Sequence, residues 1–222
     1  MPRHFELELD QLRTMLIRMG SLVEEQIDFA VKAITEADVA LARVVMERDK
    51  KVDEYDNLID QQCMKIFALT QPVAVDLRLL MAALKINNEL ERIGDIAVNL
   101  AERVEPLLPH QDFVKATPLR EMANAARTMV KDSIDSFVNN DPELAKKILV
   151  SDDVVDNYDR EIFNSMISRM KEGSENIDPA SHLMIISRHS ERLADHATNI
   201  AEDVIFLVNA RIIKHNAYKL DS

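Results

Sequence analysis

A chain of 222 residues with 47% apolar residues, 5% aromatics, three glycines and no tryptophan can enclose one large core or two small ones, and it points to helices rather than sheet. Its net charge of −12 argues against direct binding to nucleic-acid phosphates or to an anionic membrane surface, and leaves cations and basic protein surfaces as partners. The single Cys63 excludes an intrachain disulfide, no apolar run approaches the ~18 residues that span a bilayer, and the start, MPRHFELELDQL, lacks a signal-peptide apolar segment, so a cytoplasmic protein is expected.

Phe5, Leu9, Leu12, Leu16, Met19, Val23, Ile27, Ala30 and Ile34 recur every three or four residues and predict a first helix over residues 5–35. Gly20 interrupts it at a cost of about 1 kcal/mol relative to alanine, which a close helix approach would explain. Asp38 is the expected N-cap of a second helix running to residue 69, and Thr70-Gln71-Pro72-Val73 forms the next break. Asp76 is expected to cap the third helix, which ends at Glu105-Pro106. Pro106, Pro109 and Pro118 mark a linker in the middle of the chain. Thr117-Pro118 reads as a cap followed by proline at the first helical position, opening a fourth helix to Asn140. Asp141-Pro142 repeats that signal for the fifth, which Gly173, Ser174 and Asn176 end. Asp178-Pro179 opens the sixth, continuing to His215 before a frayed end.

The third and sixth helices carry the same stretch. ERIGDIAVNLAE at 91–102 and ERLADHATNIAE at 191–202 are identical at seven of twelve positions, at an offset of 100. Asp38, Leu41, Ala42, Val52, Asp53, Tyr55 and Asp56 likewise match Asp141, Leu144, Ala145, Val155, Asp156, Tyr158 and Asp159 at an offset of 103. This is an internal duplication. The expected architecture is all-α: two tandem three-helix bundles, residues 1–107 and 118–222, joined by a Pro-containing linker at 108–117 and related by a pseudo-twofold.

On a helical wheel Glu91, Asp95, Asn99 and Glu102 fall within an arc of roughly 80°, opposite Leu90, Ile93, Ala97 and Leu100. Asp49, Asp53, Asp56 and Asp60 form a second acidic row within roughly 60°, matched by Asp152, Asp156 and Asp159, with Phe163 in the fourth place. If the helices are neighbours, each half brings two carboxylate stripes together, whose mutual repulsion a multivalent cation would relieve. Oxygen ligands suit hard or borderline ions such as magnesium, manganese, calcium or iron. The plainer reading, a solvated face with surface ion pairs through Arg92 and Arg192, stays open, although a solvated face need not repeat residue for residue. His182, His189 and His196, seven apart, flank the core side and read first as packing residues, and the eleven methionines as core filling. There is no Gly-rich phosphate loop, no Gly-x-Ser-x-Gly and no Glu-x-x-His, so no catalytic site is read.

HFELELDQLRTMLIRMGSLVEEQI, QPVAVDLRLLMAALKINNELERIGDIAVNLAE and RHSERLADHATNIAEDVIFLV resemble the PhoU family, the regulatory proteins of the phosphate-specific transport system, over nearly the whole chain. The resemblance implies two three-helix bundles, a cytoplasmic and often dimeric protein, and negative regulation of phosphate uptake and of the phosphate-starvation response. It implies two partners, the ATPase subunit of the phosphate transporter and the phosphate-sensing histidine kinase. Some members bind iron or zinc clusters, or other divalent ions, through the duplicated motif. Carried over by motif position, the metal ligands are Asp49, Asp53, Asp56, Glu91 and Asp95 with Asn99 assisting, and Asp152, Asp156, Asp159, Glu191 and Asp195 with Asn199 assisting. Iron, zinc, manganese or magnesium, singly or in clusters, are the cofactors implied. Phe163 leaves room for the two sites to differ. A metal-independent helical adaptor for another partner, and a carboxylate–metal enzyme, remain as alternatives.

Overall fold

The computed structural model describes residues 2–210, with side chains from Phe5 onward. Among them all regular structure is helical. Six long helices dominate: α1 (Pro2–Glu36), α2 (Val39–Leu69), α3 (Val75–Ala101), α6 (Leu119–Asn139), α7 (Pro142–Met170) and α8 (Ile177–Asn209). Two short ones, α4 (Val104–Leu107) and α5 (Gln111–Lys115), lie between α3 and α6. The expected continuation of the last helix to His215, and the frayed end, fall outside the described residues.

The α1–α2 and α6–α7 corners are built alike. Ala37 and Asn140, 103 residues apart, both take left-handed backbone at φ 59° and 50°. The next amide closes each helix five residues back, Asp38 N–H to Ala33 O at 2.9 Å and Asp141 N–H to Ser136 O at 2.8 Å. The same aspartates then cap the following helix. Asp38 accepts from the Leu41 amide at 2.9 Å, and Asp141 from the Glu143 and Leu144 amides at 3.0 Å. Each cap contributes about 1 kcal/mol.

Three other expected caps are not used as read. Ala74, at φ 48°, occupies the N-cap of α3 with no side-chain bond, and Asp76 sits inside the first turn, where it meets the helix dipole instead. Thr117 turns back to the Val114 carbonyl at 2.9 Å, leaving Pro118 as the cap and Leu119 as the first residue of α6. At α8 the cap is Asn176, without a side-chain bond to the helix, because its amide is spent on the Arg169 carbonyl at 2.9 Å.

The Pro-containing linker in the middle of the chain is itself coiled into short helical turns. α3 stops at Ala101, four residues before the expected end, and Pro106 sits in the first turn of α4, where no intrahelical N–H is needed. Leu108–His110 forms a 3₁₀ turn. Val104, Leu107 and Val114 are buried, so this stretch folds because it has apolar side chains to cover.

α1, α2 and α3 pack on one another, as do α6, α7 and α8. The halves then join through equivalent helices, α1 on α6 and α3 on α8, the pairing that a twofold between repeats requires. Leu12, Leu16, Met19, Leu90, Ile93, Leu119, Met122, Ile186 and Leu193 belong to one apolar cluster running through both halves. Gly20 lies at the α1–α6 crossing, where a Cβ would stand 3.0 Å from Ile134 Cγ2, so the close approach is real. Arg127 reaches Asp28 across the same seam at 2.5 Å, and Lys85 reaches Asp203 across the α3–α8 seam at 2.5 Å.

Candidate metal centres

The acidic stripes of each half do converge. Packing α2 against α3 buries Val52, Ile59, Leu90, Ile93 and Ala97 between them and turns the acidic rows to the edges of the seam. Gly94 allows a close passage, since a Cβ there would lie 3.2 Å from Val52 and 3.4 Å from Asp49 Oδ1. The electrostatics record the result. Burial first, then the charges of Asp95, Asp56 and Asp53, push the Glu91 carboxyl above its usual range despite Arg92. Burial raises Asp49 as well, with Asp53 and Asp95 adding to it, and raises Asp56, with Asp60 and Asp53 adding. Asn99 lines a cleft of about 380 Å³ with Asn88, Glu91, Arg92 and Asp95, and Arg192 of α8 stands at its edge.

Two neutral side chains anchor this first cluster. Gln26 of α1 donates to Asp49 Oδ1 at 3.4 Å, and Asn87 of α3 donates to Asp56 Oδ1 at 2.7 Å and Asp60 Oδ1 at 3.2 Å. Sequence reading missed both. The signal was a buried amide within an otherwise apolar stripe, at Gln26 between Val23 and Ala30 and at Asn87 beside Ile86 and Leu90.

In the second half Glu191 and Asp195 of α8 face Asp156 and Asp159 of α7. Burial, Asp195, Asp159 and Asp156 together push Glu191 up to about 7, although Arg188 opposes them. Burial and Asp156 raise Asp195 too. Ser187 donates to Asp159 Oδ1 at 2.7 Å, the counterpart of Asn87 on Asp56. Asp152 is half-buried one helical turn before Asp156. Asn199 does not turn to this cluster. Its amide donates to Glu89 Oε2 across the α3–α8 seam at 3.1 Å.

That seam also uses His196, whose Nδ1 lies 2.6 Å from Glu89 Oε2. Burial pushes the Glu89 carboxyl up, but the hydrogen bonds of His196 and Asn199, with the charges of His196 and Arg92, hold it below its usual value overall. The histidine packs at a helix interface and is tied there.

Among the described residues no three His, Cys, Asp or Glu side chains close into a group that could hold a metal ion. The donor chemistry nevertheless fits a hard or borderline cation. Carboxylates crowd at half-buried positions, and Glu191 Oε2 is buried with no hydrogen-bond partner, an orphan that a cation would satisfy. No helix among the described residues is long and apolar enough to cross a membrane.

The fold has close counterparts. The PhoU domain model matches residues 16–104 and again 119–204. The chain is 38% identical over 212 residues to the phosphate-specific transport system accessory protein PhoU homolog of Aquifex aeolicus, covering 96% of each. It is 34% identical over 218 residues to the corresponding homolog of Pseudomonas putida, covering 98% of this chain and 85% of that protein. The crystal structure of PhoU from Pseudomonas aeruginosa is similar at a TM-score of 0.88 with 34% identity, over 93% of this chain and 100% of that one. The phosphate transport system regulatory protein PhoU from Streptococcus pneumoniae is similar at 0.86 with 26% identity, over 95% and 100%. With both repeats matched and the likeness running nearly end to end, this chain belongs to the PhoU family.

Proposed function

We propose that this chain is a cytoplasmic accessory regulator of phosphate-specific transport, restraining phosphate uptake and the starvation response when phosphate is plentiful. The observation that carries the reading is the likeness, over almost all of both chains, to accessory proteins of that transport system. It acts by docking, as a homodimer, to the ATPase subunit of the phosphate transporter and to the phosphate-sensing histidine kinase. Two helical bundles sharing one core make a rigid body, and a chain of net charge −12 presents an acidic face suited to a basic partner surface. Deleting the gene is expected to raise phosphate-responsive transcription in high phosphate. Unchanged repression would count against the reading.

The carboxylate clusters serve this role as metal sites. Asp49, Asp53, Asp56, Glu91 and Asp95 would hold ions in the first half, with Asn99 at the edge of the cleft, and Asp152, Asp156, Asp159, Glu191 and Asp195 in the second. Bound iron, zinc, manganese or magnesium would supply positive charge that cancels the repulsion of the two rows. Gln26, Asn87 and Ser187 orient the carboxylates from behind by donating to Asp49 Oδ1, Asp56 Oδ1 and Asp159 Oδ1. Elemental analysis of the native protein is expected to find metal that is lost in the Asp95→Asn/Asp195→Asn double variant with the fold intact. A second reading is docking through metal-free acidic faces, whose carboxylates meet a basic partner surface directly. It expects partner binding that chelators leave unchanged.

A further inference from the structure

The two acidic clusters differ by two charges. At the offset of 103 that relates α2 to α7, Asp60 is matched by Phe163. At the offset of 100 that relates α3 to α8, Asn88 is matched by Arg188. The first cluster therefore has one more carboxylate, and the second has a cation of its own. Arg188 Nη1 lies 3.0 Å from Glu191 Oε1 and 3.6 Å from Asp159 Oδ2, bridging α8 to α7 across the mouth of the second cluster. Asn88 brings no charge to its own half, and accepts instead from Arg92 Nε at 2.9 Å. Arg92 and Arg192 both line the first cleft, yet among the described residues neither is ion-paired to Glu91 or Asp95, whereas Arg188 pairs with two carboxylates of its cluster.

The two carboxylates that Arg188 touches are shielded, with side chains only 12% and 18% exposed, whereas its own side chain is 65% exposed. It is held by those ion pairs at its tip and can swing into solvent along its flexible stem. A divalent ion entering between Glu191 and Asp159 meets a unit positive charge at about the distance at which ion pairs form, and gains those carboxylates only as Arg188 leaves.

We propose that Arg188 is a built-in counter-ion of the second cluster, so that the two clusters fill in order: the first takes a divalent cation at low concentration, and the second only at a concentration high enough to displace Arg188. This rests on the reading of the clusters as metal sites. Ordered filling lets one chain respond to two ranges of metal concentration, with the geometry of α7 against α8 changing only in the upper one.

Titration of the purified, chelator-stripped full chain with Mn²⁺, followed by calorimetry and by the magnetic-resonance signal of free Mn²⁺, tests it. The wild type is expected to show a tight and a weak class of site, the weak one lost in Asp195→Asn and the tight one in Asp95→Asn. Arg188→Gln is expected to strengthen the weak class by about tenfold or more and leave the tight class alone, from the removal of one charge at ~4 Å from a dication. Asn88→Arg is expected to weaken the tight class. A weak class unmoved by Arg188→Gln, or a tight class that maps to Asp195, overturns the proposal while leaving the metal reading in place. No Mn²⁺ uptake by the wild type or by Arg188→Gln overturns both. A purely structural role for Arg188 would lower the melting temperature and leave the affinity ratio unchanged, which also counts against the proposal.

Discussion

Leu90→Ala is expected to destabilise the protein by about 3 kcal/mol, while Glu91→Gln, one residue later, is expected to leave stability unchanged or raised at neutral pH. Leu90 is 1% exposed and sits on the face of α3 that enters the common core. Truncating it removes transfer free energy and leaves a cavity that neighbouring helices, fixed from three sides, fill only in part. In a chain of this length that loss lowers the melting temperature by roughly 6–12 °C. Glu91 lies about 100° further round the helix, where burial and a group of like charges already disfavour its ionised form. Replacing it by the neutral isostere removes repulsion and little packing. Urea unfolding of the two variants beside the wild type checks the pair. Equal losses would mean that the carboxylate stripe holds the fold together, against the separation of roles argued from burial.

The metal-free protein is expected to be less stable at pH 8 than at pH 5, with Glu191 as a main source. Its carboxyl has an ordinary value of 4.5 and is held at about 7 in the folded chain. Between those values the native state keeps a proton that the unfolded state has released. Stability is therefore greatest below the unfolded value and falls as pH rises through this window. The difference corresponds to at most about 3 kcal/mol, and solvent at the mouth of the cluster reduces it to on the order of 2 kcal/mol. Asp49, Asp56, Glu91 and Asp195, all raised, add in the same sense. Glu89, held low by the net effect of its partners, works in the opposite sense, its contribution being lost as pH falls. Thermal melts of chelator-treated wild type and Glu191→Gln from pH 4.5 to 8.5 give the test. The variant is expected to be flatter across the window and more stable than the wild type at pH 8. A wild-type curve that rises steadily to pH 8 would show that the carboxylates of the second cluster do not crowd one another in solution.

Much of this protein was determined locally and is legible in the chain itself. Helix positions follow from apolar residues every three or four places, which hold one face against a core whatever that core turns out to be. The caps at Asp38 and Asp141 follow from an aspartate ahead of an apolar repeat. The duplication, and with it the two acidic rows, is visible because identical residues recur at fixed offsets. What only the tertiary structure decided involves residues far apart in sequence. That α2 and α3 bring Asp53, Asp56 and Glu91 within reach of one another depends on Gly94 letting two backbones pass closely over Val52. Asn199 repeats Asn99 in sequence, yet it leaves its own cluster because Glu89 and His196 meet it across the seam. The prolines of the middle segment read as a linker; that the linker coils into short helices was decided by the core that Val104, Leu107 and Val114 cover. Arg188 and Asn88 look like ordinary surface residues of two similar helices until packing sets one of them over a pair of shielded carboxylates. Spacing along the chain specifies which face a side chain occupies; which charge, amide or backbone it meets there is fixed by the helix that packs opposite.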